Sequence, residues 1–80
     1  MSLRIILKPD QISQWITDRN GTPARRRESD TDLRIQFSEA VGEYEPVSMD
    51  NLLDAMKIHH LVMLVDQEPG KTFHKIYQHS

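Results

Sequence analysis

The stretch LVMLVD, Leu61–Asp66, decides the fold, because five apolar residues follow one another in it without interruption. A strand with one wet face alternates apolar and polar residues, whereas a strand covered on both faces is apolar throughout. A run this short is typical of a strand rather than of a helix. The stretch therefore predicts a central strand of a sheet.

Two amphipathic helices are predicted on its N-terminal side. In each, large residues recur three and four positions apart, which places them along one side of a helix. The first stripe comprises Ile12, Trp15, Ile16 and Arg19, and the second comprises Met49, Leu52, Leu53 and Met56. We expect both stripes to pack on the sheet.

The ends of these helices carry recognisable signals. Asp10 is expected to cap the first helix, and Ser48 the second, because their side-chain oxygens can accept the unpaired amides of a first turn. Asn20-Gly21 is expected to stop the first helix, since both residues tolerate the left-handed conformation. The second helix is expected to end near His59-His60.

The remaining strands are weaker predictions. Residues 23–28 and 33–37 read as a β-hairpin joined by a turn, and residues 72–78 read as the last strand. Leu3–Leu7 alternates weakly, so whether it forms a strand is left open. Residues 38–46 read as an acidic loop.

These elements predict an α+β domain over residues 1–80: two amphipathic helices packed on one face of a small, mostly antiparallel sheet, in the order β-α-β-β-α-β-β with the first strand open. No internal repeat is recognisable. The expected core consists of Ile12, Trp15, Ile16, Leu33, Ile35, Phe37, Met49, Leu52, Leu53, Met56, Leu61, Met63, Val65, Phe73 and Ile76.

Composition excludes several classes of protein. With 38% hydrophobic and 28% charged residues, the chain is globular rather than disordered. Its net charge of −2 is not the basic excess usual in nucleic-acid binders. Cysteine is absent, which excludes disulfides and cysteine chemistry. No stretch approaches a signal-peptide core or the ~20 apolar residues of a membrane span, so we expect a cytoplasmic protein without a membrane partner.

A set of residues along the chain resembles a family of small uncharacterised bacterial proteins, many of which carry the label 1,4-α-glucan branching enzyme. The set is Ile12, Trp15, Arg19, Gly21, Pro23, Ala24, the strand LRIQF at 33–37, Ser48, Leu52, Leu53, Phe73 and Lys75. The resemblance covers roughly Asp10 to Tyr77. Branching enzymes use a (β/α)₈ barrel of ~200 residues or more, which this chain is too short to form. The resemblance therefore implies no activity.

The arginines are the candidate site for phosphate or nucleic acid. They are Arg19, Arg25, Arg27 and Arg34, and Arg26 lies between two of them. Neighbours on a strand point to opposite faces, so the three consecutive arginines do not share one face. Glu28, Asp30 and Asp32 lie within reach and can offset their charge. Both interpretations stay open, with the charge-paired hairpin favoured.

The histidines do not have the spacing of metal ligands. His59 and His60 are adjacent on a predicted helix and diverge by about 100°. His74 and His79 are an odd number of residues apart, which places them on opposite faces of a strand. We expect no metal or cofactor. A pocket of ~300 Å³ or more is hard to fit into so small a core, and no catalytic motif appears, so we expect no enzyme.

Two functions follow as hypotheses. The first is a non-catalytic protein-interaction or adaptor module that binds another protein or a second copy of itself as a homodimer. It is motivated by the surplus of apolar residues around the central strand and at Leu3–Leu7. The alternative is a nucleic-acid-associated factor that uses the arginine-rich hairpin.

Overall fold

The computed structural model describes residues 2–37 and 42–78. Six strands and two helices follow one another along this part of the chain. They are β1 (Leu3–Ile6), α1 (Pro9–Asp18), β2 (Thr22–Arg26), β3 (Leu33–Gln36), β4 (Tyr44–Pro46), α2 (Met49–Ile58), β5 (Leu61–Asp66) and β6 (His74–Gln78). Neither described helix is long and apolar enough to cross a membrane.

The strands form two antiparallel sheets, which confirms the α+β class but corrects the expectation of a single sheet. The first sheet has the order β1-β5-β6, and the second sheet has the order β3-β2-β4. β5 is central in the first sheet, as its apolar sequence predicts. β1 is a strand, which settles the open question at Leu3–Leu7, although it ends at Ile6.

The same succession of elements occurs twice along the chain, which the sequence does not reveal. A first unit runs β1-α1-β2-β3 and a second unit runs β4-α2-β5-β6. Each sheet combines the hairpin of one unit with the leading strand of the other. Both helices have ten residues, and each is followed by a non-glycine residue of positive φ, Asn20 at 56° and His60 at 54°.

Both helices bury their stripes against the inner faces of the sheets, by which we mean the faces turned toward the helices. The buried cluster comprises Ile6, Ile12, Trp15, Ile16, Leu33, Ile35, Leu52, Met56, Leu61, Met63 and Val65, with Phe37, Met49, Leu53, Ala55 and Ile76 packed against it. The prediction that Phe73 belongs to the core is wrong, since it is 47% exposed. Ile6, Ala24 and Val62 are buried but were not predicted.

The helix ends follow the predicted signals with one correction. α1 begins at Pro9, so its N-cap is Lys8 and not Asp10, and proline suits the first helical position because its missing N–H would be unpaired there. α2 begins as predicted, with the Asn51 amide donating to Ser48 Oγ at 3.1 Å. After α1, the Gly21 amide donates to the Ile16 carbonyl at 2.9 Å, closing the helix in a Schellman turn.

Gly21 is required by packing rather than by its backbone angles. A Cβ at this position would lie 2.5 Å from Ile35 Cγ2 and 2.9 Å from Phe37 Cε1. Only hydrogen fits there, so α1 and the second sheet approach more closely than any side chain would permit.

β4 is the element that the sequence interpretation missed. Residues 44–46 belong to the stretch read as an acidic loop, and residues 38–41 of that stretch lie outside the described residues. β4 pairs with β2, placing Glu45 opposite Arg25 and Tyr44 opposite Arg26. The hairpin arginines thus acquire acidic neighbours from a strand distant in sequence.

His74 joins the two sheets where β6 adjoins β3. The Ile35 amide donates to His74 Nε2 at 3.0 Å, so the proton of the neutral ring sits on Nδ1, which lies 3.0 Å from the Thr72 carbonyl. The ring also packs against Trp15 and Phe37, with centroids 5.9 and 5.7 Å away. Burial lowers the pKa of His74, and the nearby Arg34 lowers it further.

Candidate interaction surface

The first sheet has an apolar outer face, on the side away from the helices. The strand registers place Leu3, Ile5, Val62, Leu64, Lys75 and Tyr77 on this face, together with the buried Asp66, which lies opposite Leu3. The Asp66 amide donates to the Phe73 carbonyl at 3.1 Å, so Phe73 continues the β6 side of the face. Leu3, Ile5 and Phe73 are 45%, 50% and 47% exposed, whereas Val62 at the centre is 5% exposed. Exposed apolar surface therefore lies on both flanks of β5.

The edge of β1 away from β5 carries free hydrogen-bonding groups. The Gln67 amide donates to the Ser2 carbonyl at 2.8 Å, which sets the phase of the ladder. Because alternate residues of an antiparallel pair bond to the partner, Arg4 and Ile6 face β5, while the main-chain groups of Leu3 and Ile5 point outward. No strand within residues 2–37 and 42–78 pairs with this edge.

The charge along this edge is basic. Residues 2–8 contain Arg4 and Lys8 and no acidic residue. Among the residues that the structure describes, Arg4 has no ion pair or side-chain hydrogen bond. Its side chain lies on the inner side of β1, where it lines a groove that Trp15 and Asp18 of α1 also line.

The groove corrects the expectation that a pocket of ~300 Å³ is hard to accommodate. It has a volume of about 770 Å³ and lies between β1, α1 and the turn that joins β5 to β6. Its lining carries both charges, from Arg4 and Arg19 and from Asp10 and Asp18. The groove is open to solvent, and Arg4 and Ile6 are the residues of β1 that line it.

Two of the hairpin arginines meet acidic side chains. Arg25 donates to Glu45 at 2.7 Å and lies 3.9 Å from Asp30, and the bond to Glu45 raises the pKa of Arg25. Arg26 donates to Glu43 at 2.7 Å, and this bond raises the pKa of Arg26. The charge-paired interpretation describes both residues.

The other predicted arginines lie apart from one another. Arg19 donates to the Lys71 carbonyl at 2.6 Å and the Glu68 carbonyl at 3.0 Å, so it fastens the β5–β6 turn to the end of α1. Arg34 lies over the Tyr44 ring, 5.2 Å from its centroid. Arg27 is exposed and has no side-chain partner in the described part of the chain. An anion-binding role for Arg19, Arg25, Arg27 and Arg34 stays a prediction.

The outer face of the second sheet is polar. Tyr44 lies on this face at the start of the edge strand β4 and donates to Asp32 at 2.8 Å, and this bond raises the pKa of the Tyr44 hydroxyl. Arg26 lies 3.5 Å from the same carboxylate. The face therefore holds charges that neutralise one another, and the described residues place no exposed leucine or isoleucine on it.

The histidines are dispersed in the structure. His59 and His60 follow α2, and His74 lies between the sheets, while His79 lies outside the described residues. Over the two described ranges, no group of three or more His, Cys, Asp or Glu side chains is placed to hold a metal ion.

Sequence signals for the interaction surface exist but are short. Leu3 and Ile5 alternate with Arg4, which indicates one exposed and one inner side of a strand. Phe73, Lys75 and Tyr77 share the outward phase of β6. The free edge has no such signal, because it depends on where β1 pairs.

No family model, curated protein or solved structure matches the chain. The resemblance to the small bacterial family stays a prediction.

Proposed function

We propose that the protein is a non-catalytic interaction module that binds another polypeptide through the outer face and free edge of its first sheet. The observation that carries the proposal is the exposure of Leu3, Ile5 and Phe73 on one side of a single sheet. Exposed apolar residues scattered singly are normal on protein surfaces, whereas their grouping on one face is typical of interaction sites.

The second sheet supports this interpretation by contrast. Its outer face carries ion pairs around Tyr44 at the place where the first sheet exposes apolar side chains. Nothing in the packing of the core requires apolar side chains at Leu3 or Phe73, since neither belongs to the buried cluster. Binding of a partner that buries Leu3 and Phe73 would explain why these positions are apolar.

Peptide selection tests the proposal without a known partner. Random peptides displayed on phage are selected on the wild-type protein and then measured on the double variant Leu3→Ser/Phe73→Ser. We expect the selected peptides to lose roughly tenfold or more in affinity, because truncating apolar anchors removes most of the burial that drives binding.

Ile58→Ser is the matched control. Ile58 is 69% exposed but lies on α2, in the helix layer. The selected peptides should bind this variant as they bind the wild type. Failure to select any peptide, or equal binding to the double variant, would contradict the proposal.

A cytoplasmic location and a second copy as partner belong to the same proposal. Light scattering across a range of protein concentrations distinguishes a homodimer from a monomer that awaits another protein. If the wild type is a dimer and the double variant is a monomer, the outer face is the site of self-association.

The nucleic-acid alternative has weaker support. Arg34 lies over the Tyr44 ring, close to the paired Arg26, and Arg27 is exposed and has no side-chain partner among the described residues. Binding to duplex and single-stranded oligonucleotides at ~50 mM salt tests it, since phosphate contacts are strongest at low salt. Absence of binding under those conditions rejects the alternative.

A further inference from the structure

The two units of the chain allow their edge strands to be compared position by position. When the two central strands are superimposed, Leu64 of β5 coincides with Ala24 of β2. Ile5 then coincides with Pro46, because Ile5 pairs with Leu64 and Pro46 pairs with Ala24. Leu3 then coincides with Tyr44. The Val47 amide donates to the Pro23 carbonyl, which sets the phase of β4 and turns Tyr44 and Pro46 toward the open edge.

The β4 edge is therefore better protected than the β1 edge, which is also short and carries Arg4 but contains no proline. Proline has no N–H to donate, and short, charged or proline-containing edge strands are a common protection against unwanted strand pairing. β4 has only three residues, includes Pro46, and its Glu45 is held by Arg25. At the equivalent place β1 keeps the outward amide of Ile5, and its Arg4 is unpaired among the described residues.

Charge indicates which strand fits this edge. A second copy would align β1 with β1 and bring two Arg4 and two Lys8 side chains into one ribbon, where like charges oppose pairing. The β4 edge of another copy offers acidic residues, but Glu43 and Glu45 are already bonded to Arg26 and Arg25. A strand with its own unpaired carboxylates complements Arg4 and Lys8.

We infer that the free edge of β1 accepts an extended acidic segment of another protein as a fourth strand of the first sheet, an inference that rests on the proposed function. The segment bonds to the main-chain groups of Leu3 and Ile5, as strand addition does elsewhere. Its apolar side chains extend the outer face beside Leu3 and Ile5. Its acidic side chains alternate with them, on the inner side of the sheet, and meet Arg4 at the groove, whose lining also carries Arg19, Asp10 and Asp18.

A synthetic peptide in which valine alternates with glutamate is the probe, and the same peptide with lysine in place of glutamate is its control. Titration calorimetry on the wild type should show binding of the acidic peptide roughly tenfold or more tighter than of the basic one. Arg4→Glu should reduce or reverse this preference. Hydrogen exchange should show the Leu3 and Ile5 amides becoming protected when the acidic peptide binds.

Ile5→Pro removes the outward amide and copies the protected edge of the second sheet. Because this N–H does not bond to β5, the variant keeps the ladder to the central strand. The affinity of Ile5→Pro for the acidic peptide should be roughly tenfold or more lower than that of the wild type. Ile5→Val keeps the amide and should bind the peptide as the wild type does.

Three other outcomes overturn the inference. In the first, the peptide still binds Ile5→Pro, the Leu3 and Ile5 amides stay unprotected, and Phe73→Ser abolishes binding. A partner then uses the outer face without adding a strand, and the proposed function stands. In the second, neither the acidic peptide nor any displayed peptide binds the wild type, which rejects both this inference and the proposed function. Self-association of the wild type that Ile5→Pro abolishes identifies a second copy as the added strand.

Discussion

The first sheet exposes leucine, isoleucine and phenylalanine on its outer face, whereas the second sheet exposes arginines, a tyrosine and their acidic partners. Yet both sheets have the same topology, an antiparallel hairpin joined by the leading strand of the other unit. Their inner faces are alike, because both must bury a helix stripe. The outer faces are not constrained by the core, so they are where the two sheets differ and where we place the function.

The largest expected loss of stability comes from substitutions on the inner faces, and it tests whether the two sheets bury their helix stripes alike. Met63 and Ile35 are 0% and 1% exposed on the inner faces of the first and second sheets. Replacing either by alanine should lower the free energy of unfolding by about 2–5 kcal/mol, through lost burial and the cavity left behind. Urea denaturation measures both. A loss at one residue only would show that the two sheets do not share one core.

Gly21 tests the close approach of α1 to the second sheet. Gly21→Ala places a methyl group against Ile35 and Phe37, and such overpacking typically costs about 1–3 kcal/mol. Gly42→Ala is the matched control, since a Cβ there meets nothing within 4 Å. Thermal or urea unfolding of the two variants should differ clearly, and equal stability would refute the packing explanation.

His74 tests the joint between the sheets through pH. The folded protein holds the ring neutral with a lowered pKa, so the unfolded chain takes up a proton first as the pH falls. The contribution of His74 is complete above about pH 6.5, the usual value in an unfolded chain, and decreases as the pH falls through the lowered pKa. A protonated Nε2 can no longer accept the Ile35 amide.

Urea denaturation between about pH 5 and pH 8 measures this dependence. His74→Asn should flatten the decrease, whereas His59→Asn, at the C-terminal end of α2, should leave it unchanged. The groups around the ring are Arg34 of β3, the Ile35 amide, the Thr72 carbonyl and the rings of Trp15 and Phe37. A decrease that persists in His74→Asn assigns it to another group.

The smallest effects compare the two outer faces directly. Ile5→Thr should change the free energy of unfolding by no more than about 0.5 kcal/mol, whereas Ile6→Thr, its buried neighbour, should be strongly destabilising. On the second sheet, Glu43→Gln removes the negative charge opposite Arg26 and should cause a small loss of stability that disappears in ~1 M salt, because salt screens exposed charges. A large cost for Ile5→Thr would mean that this face belongs to the core.

The sequence predicts the helices and central strands well, because their signals are local. The stripes at Ile12 and Leu52 and the apolar run at Leu61–Asp66 each determine one element. β4 was missed because three residues are too few to show alternation. The division into two sheets depends on β1 pairing with β5 and β4 pairing with β2, and pairing between residues so distant in sequence leaves no local pattern.

One error was avoidable from the sequence alone. Phe73 and Ile76 were both assigned to the core, although residues an odd number apart on a strand point to opposite faces. Ile76 packs inward with Met63, so Phe73 belongs to the outer phase with Lys75 and Tyr77. Applying the alternation strictly would have identified one flank of the proposed interaction surface.

The exchange of leading strands between the two units has a consequence for folding. Neither half of the chain contains the strands of a complete sheet, because β1 finds its neighbour only in β5 and β4 only in β2. Each half expressed alone lacks an edge that the other supplies. Mixed together, the severed halves should recognise each other and restore the whole, as a split protein does.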